Sequence, residues 1–164
     1  MSRLREALDQ IDFARRYTRE RIATVPLGEW FTIPPNGVTN IAWQVGHLAF
    51  AEYRLCLLRL RPRTAEDQSL VSERFIETFV RDSDPGAITG LTAEEILETF
   101  DRVHSRVMDE LPRYADADLD LPPLIEHKLF DTRIASLRYC PLHEMIHCGQ
   151  IALLRRMFGQ KPIW

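Results

Sequence analysis

Apolar residues recur at steps of three and four through four separate stretches of this chain, a spacing that suits helices burying one side each. The first stretch sets Leu4, Leu8, Ile11, Thr18, Ile22 and Val25 on one stripe, interrupted by Arg15, and stops at Pro26 and Gly28. The second starts near Thr39 or Asn40, either of which can accept a free N–H of a first turn, and runs through Ile41, Val45, Leu48, Leu55 and Leu58 to Pro62. The third opens on Thr92-Ala93-Glu94-Glu95, a capping box in which the Thr92 hydroxyl and the Glu95 carboxylate each satisfy an orphan backbone N–H. It carries Ile96, Phe100, Val103, Val107 and Leu111 and closes at Pro112. The last holds His143, His147, Ile151, Leu154 and Phe158, and ends at Gly159, a left-handed cap position, with Pro162 beyond. Pro141 falls near its start or in a kinked first part.

Strand signals are scarce. Four long amphipathic helices with connections of uneven length predict an all-α four-helix bundle, with helices near residues 2–25, 40–61, 92–112 and 134–158. Between the second and third, SERFIETFVRD suits a short helix and SDPGAITG a turn-rich linker, while Pro34-Pro35-Asn36-Gly37 marks an earlier loop. There is no internal repeat. At 164 residues the chain fits one domain, 1–164, large enough to bury a proper core.

A net charge of −3 and a pI near 6.0 argue against nucleic acid as the main partner, because phosphate binding needs a concentrated basic surface. Arg15, Arg16, Arg19 and Arg21 cluster, but acidic residues interleave with them, and a solvated helix face is expected. No apolar run approaches the length that crosses a bilayer. The opening MSRLREALDQ is charged and lacks a signal-peptide core. Cys56, Cys140 and Cys148 are odd in number and form no C-x-x-C pair. The expectation is a reduced, cytoplasmic protein with buried thiols and no disulfide.

The stretch LHEMIHCGQ, Leu142 to Gln150, matches the H-E-x-x-H pattern of zinc proteases. In those enzymes a third ligand follows the motif. Here CGQIALLRRMFGQKPIW follows His147 and contains no Asp, Glu or His, and the sheet of such enzymes is missing too. The spacing itself still puts His143 and His147 on one face, one turn apart. Ile151, Leu154 and Phe158 continue that face, so the imidazoles point into the bundle. There they need either a metal or a hydrogen-bond partner.

His47 bears on that choice. On the second helix Gln44, His47, Leu48, Ala51 and Leu55 share one side, so His47 can also face inward. One histidine from one helix and two from another make three nitrogen ligands, and three protein ligands leave a divalent ion with open positions, the catalytic kind of site. His104 and His127 read as surface or partly packed residues. Glu144 sits about 100° around the helix from His143. It suits a general base, a partner of a ligand, or a plain surface carboxylate. Gln44, Glu144 and Gln150 are the polar groups nearest the open position. Trp43 and Phe50 read as core, and Cys148 lies one step off the His147 face.

Three segments carry a resemblance: NIAWQVGHLA at 40–49, LTAEEILETFDRVH at 91–104 and PLHEMIHCGQIALLRRMFG at 141–159. In this order they resemble the DinB/YfiT-like superfamily of metalloenzymes and cover the second, third and fourth helices. The resemblance implies a four-helix bundle in which His47, His143 and His147 bind a divalent metal, often zinc or nickel. Some relatives are thiol-dependent transferases or isomerases that use low-molecular-weight thiols; others are named only as DNA-damage-inducible proteins. Two functions are therefore carried forward. One is a metal-dependent S-transferase or hydrolase acting on a small electrophile, with Glu144 as its candidate catalytic residue. The other is a non-catalytic, metal-binding stress-response protein. A homodimer is expected in either case.

Overall fold

The computed structural model describes residues 2–163. Its helices are α1 (Arg3–Ile22), α2 (Ile41–Glu52), α3 (Ala65–Leu70), α4 (Glu73–Phe79), α5 (Ala93–Glu110) and α6 (Arg133–Met157). The chain leaves α2 through a π-helical stretch, Tyr53–Leu58, so the second long helix reaches close to its expected end. No strand forms among the described residues; one isolated bridge pairs His127 with Phe130. The four long helices make the bundle: α1 packs on α6, α2 on α5, and α2 also meets α6.

Local chemistry sets the helix starts. Ser2 caps α1 by accepting from the Arg5 N–H, and Thr132 caps α6 by accepting from that of Ala135. The Asn40 side-chain oxygen accepts from the Trp43 N–H at 2.8 Å, and its amide donates to the carbonyls of Phe31 and Pro85. The capping box of α5 forms as read, with Glu95 N–H on Thr92 Oγ1 at 3.2 Å and Thr92 N–H on the Glu95 carboxylate at 2.7 Å. Gly159 ends the last helix with φ +79°, while its N–H and that of Gln160 reach back to the carbonyls of Arg156 and Arg155. This is a Schellman closure, and it needs the left-handed residue that glycine supplies most easily.

Two regions differ from expectation. The short helix expected in SERFIETFVRD forms as α4, with Ser72 accepting from the Phe75 N–H, but a second one, α3, precedes it, started by a capping box of Thr64 and Asp67. Pro141 lies well inside α6. It gives up one backbone hydrogen bond there, but the helix begins two turns earlier and carries through.

The core follows the apolar stripes. Phe100, Val103, Val107 and Leu111 of the α5 stripe are fully buried, as are Ile41 and Val45 of α2. Each large side chain of this kind contributes roughly 1.5–3 kcal/mol on leaving water. That sum, rather than helix propensity, holds these helices together.

The N-terminal arginines are a correction. Arg16 is exposed to solvent as expected and Arg19 is half-exposed, but Arg15 and Arg21 are buried. Arg15 is ion-paired to Glu52 at 2.6 Å and to Glu144 at 3.2 Å, donates to the Phe100 carbonyl, and lies over the Phe100 ring. Arg21 lies over the ring of Tyr17 and donates to that residue's carbonyl. Arg15 breaks the α1 stripe because the interior holds two carboxylates that need a cation.

Candidate metal centre

The three histidines meet between α2 and α6. One ring nitrogen from each of His47, His143 and His147 lies within 4.8 Å of the other two. The ring centroids are 4.8 Å apart for His47 and His147, 4.6 Å for His143 and His147, and 5.3 Å for His47 and His143. His47 and His147 are almost fully buried, while His143 is partly open.

Two of the rings are fixed by hydrogen bonds. His47 Nδ1 donates to the backbone carbonyl of Phe79 at 2.8 Å. His147 Nδ1 donates to Gln44 Oε1 at 2.7 Å, and the Gln44 amide in turn donates to Thr39 Oγ1 at 3.0 Å. Each bond places the proton on Nδ1 and leaves Nε2 as the free lone pair, the arrangement that outer partners impose on metal-ligating histidines.

Gly46 is what lets Phe79 reach His47. A Cβ at position 46 would overlap the Phe79 ring, so α4 lies directly on the backbone of α2 at this point. Trp43 stacks on the His47 ring at 4.7 Å with an interplanar angle of 7°, and its indole N–H donates to Ser83.

The electrostatics keep the rings neutral. Burial lowers the His47 pKa against the opposing pull of the Phe79 carbonyl. Burial, then repulsion from its neighbouring histidines, lowers His143 to about 4 and His147 to about 3. Three unprotonated imidazoles with their nitrogens close together are a donor set that could hold a metal ion.

A pocket of about 390 Å³ opens on this cluster. Its walls include Trp43, Phe50, Leu55, Tyr139 and Ile146, with Arg54, Arg59, Arg81 and His127 as its other charged or titratable groups. Trp43 and Phe50 therefore border the site as well as the core. His127 is exposed, as expected, and stacks on Phe130 at 4.3 Å at the edge of the pocket.

Glu144 is placed elsewhere. It is buried, which removes the surface-carboxylate reading, and it does not line the pocket. Its carboxylate faces Arg15. Burial raises its pKa, Arg15 opposes that, and Glu52 adds to it. His104 joins the same network, with Nδ1 at 2.8 Å from Glu52 and Nε2 at 3.4 Å from Asp12. Gln150 is exposed, and its side chain offsets a little of the lowering of the His147 pKa, while Gln44 is the neighbour that takes the proton of His147 Nδ1.

Cys56, Cys140 and Cys148 are free and buried, as expected. Burial raises the thiol pKa of Cys56 and Cys148. A hydrogen bond with Cys56, together with burial, pushes Cys140 well up. None of the three lines the pocket.

Sequence reasoning missed the Gly46–Phe79 contact and the arginine wall. The first had a signal, a glycine in mid-helix directly before a candidate ligand. The second had a partial one, since Arg54 follows His47 by seven residues, about two turns along the same face of the second helix, whereas Arg81 comes from the segment after α4.

An all-α bundle with a three-histidine cluster able to hold a metal ion is the class of protein that this fold and site define. The family profile described as the DinB superfamily matches residues 10–151, and the chain belongs to that superfamily. A conserved protein from Enterococcus faecalis, known from its crystal structure, has a similar fold, with a TM-score of 0.66 at 17% identity. The alignment covers 98% of this chain and 99% of that one. No curated protein matches the chain. No helix among the described residues is long and apolar enough to cross a membrane.

Proposed function

We propose that this chain is a metal-dependent enzyme in which His47, His143 and His147 hold a divalent ion, zinc or nickel, and a small electrophile is attacked by a thiol or by water. The observation that carries the reading is the pair of fixed imidazoles. His47 and His147 each commit Nδ1 to an acceptor, keeping Nε2 free beside His143. Structural histidines satisfied by their own hydrogen bonds would not need three free lone pairs gathered at one point. When bound, the ion would act as a Lewis acid, lowering the pKa of a thiol or water beside it so that a nucleophile forms at neutral pH.

The chain's own residues support this division of labour. Gln44 and the Phe79 carbonyl orient ligands, and Trp43 covers the His47 ring. The apolar walls exclude bulk water from one side of the pocket. The chain's own thiols are buried away from it with raised pKa values. A thiol nucleophile would therefore come from solution, which favours a low-molecular-weight thiol as co-substrate. Glu144 is turned to Arg15 and is given no part in the chemistry. The pocket of about 390 Å³ favours catalysis over a purely metal-storing role, which would need no room for a substrate.

The test is a zinc-loaded and a nickel-loaded sample offered a panel of small thiols with an activated electrophile, followed by mass analysis of the conjugate. Conjugate or hydrolysis product that depends on both the metal and His147 supports the proposal. Metal-loaded protein that turns over no member of the panel favours the storage role.

A further inference from the structure

The pocket that opens on the histidines is basic as well. Arg54, Arg59 and Arg81 line it, and no carboxylate does. Arg81 is mostly exposed and has Asp82 beside it at 3.7 Å. Arg54 and Arg59 have no acidic partner among the described residues, whereas buried Arg15 has two.

Arg59 is the unusual one. It is 2% exposed. Its Nη1 donates to the Ile125 carbonyl, and the guanidinium lies 4.9 Å from the Phe130 ring centre. Its Nε is buried with no hydrogen-bond partner. A buried cation without a counter-ion is unfavourable, and an unsatisfied donor on it adds to that. A second guanidinium in the same wall makes matters worse. Burial and the Arg54 charge together lower Arg59 to about 10, which still leaves it charged at neutral pH. Burial and the same two arginines also lower the pKa of His127. A group with negative charge would relieve all three strains at once, and two oxygens of a carboxylate or a phosphate match the fork of a guanidinium.

We infer that Arg54 and Arg59 form an oxyanion subsite, and that the pocket takes a small organic acid whose apolar body lies against Trp43, Phe50 and Tyr139. The inference rests on the metal-enzyme reading only in treating the pocket as a substrate site. The anion contact itself is made by the arginines and does not need the metal. The carboxylate or phosphate would sit at the arginine end while the rest of the molecule extends toward the histidines.

The experiment uses the full chain freed of metal with a chelator and then dialysed, so that no ion can bind the anion in place of the arginines. Benzoate, phenyl phosphate and neutral benzamide are titrated by calorimetry, and the Arg59 Nε–H signal is followed by NMR. The expected result is saturable binding of benzoate, phenyl phosphate or both, with that signal moving, and little binding of benzamide. Which of the two anions binds more tightly identifies the subsite as one for carboxylate or for phosphate. Arg54→Met should weaken binding about tenfold or more, the scale of one charge-assisted hydrogen bond. Arg106→Met, on the surface of α5, should leave it unchanged. Arg54 is half-buried in the pocket wall, and an unaltered melting temperature would verify that Arg54→Met keeps the fold. Equal binding of benzamide, an affinity unmoved by Arg54→Met, or no saturation at millimolar anion would each overturn the subsite. The metal reading is judged separately: Gln44→Ala, at a residue that does not line the pocket, should weaken zinc binding and keep benzoate.

Discussion

Gln44 on α2 accepts a hydrogen bond from Nδ1 of His147 on α6 at 2.7 Å, joining the two helices at the histidine cluster. Thr39 holds the other end of the Gln44 amide. The bond sets the His147 tautomer, so Gln44→Ala should leave the fold intact and weaken zinc binding by about 10–100-fold, as the loss of an orienting partner does. A competitive chelator titration checks this. Unchanged affinity would mean that His147 does not need Gln44 to present its lone pair.

Gly46 is predicted to be intolerant of the smallest side chain. Gly46→Ala drives a methyl into the Phe79 ring and pushes α4 away from α2. Overpacking of this kind costs about 1–3 kcal/mol. Because the Phe79 carbonyl anchors His47, zinc affinity should fall together with the melting temperature. A variant that loses stability but keeps its full zinc affinity would separate the two effects and count against the coupling.

The buried pairs around Arg15 make the strongest stability prediction. Arg15→Met leaves Glu52 and Glu144 in the core without the guanidinium between them. Breaking a buried pair from one side costs about 3–5 kcal/mol. Urea unfolding should show a loss in that range. A change below about 1 kcal/mol would be the value for an exposed pair and would contradict the burial described.

His104 should make stability depend on pH. Burial lowers its pKa, but the hydrogen bond and charge of Glu52 outweigh that, and the net shift is upward from 6.5. A raised folded-state pKa means that the folded protein holds this proton more tightly than the unfolded chain. Its contribution is complete below about 6.5 and is lost as pH rises through the folded value. The parent's advantage in melting temperature over His104→Gln should therefore be larger at pH 6 than at pH 9. An advantage that grows with pH would reverse the sign and the assignment.

Much of this fold was legible because its signals are local. Thr92 and Glu95 lie three residues apart and specify the start of α5, and Gly159 and Pro162 specify the end of α6. The histidine cluster was legible for a related reason, since four-residue spacing fixes the relation of His143 to His147 and only His47 had to be brought in from another helix. What stayed hidden depends on tertiary neighbours. The solvated face expected for Arg15 failed because Glu52 and Glu144 come from two other helices. Their being buried together cannot be read from spacing along any one of them. Glu144 itself sits next to a candidate ligand in sequence, yet one step along a helix turns it out of the pocket and toward α1.

The most direct test of the account is metal content. The parent protein and the variants His47→Ala, His143→Ala, His147→Ala and Glu144→Gln are purified after supplementation with zinc and nickel, desalted, and assayed by elemental analysis. The account predicts about one divalent ion per chain in the parent and in Glu144→Gln, and a large loss in each histidine variant. Metal retained by His47→Ala but lost from Glu144→Gln, or a parent that binds no ion under any loading, would contradict it.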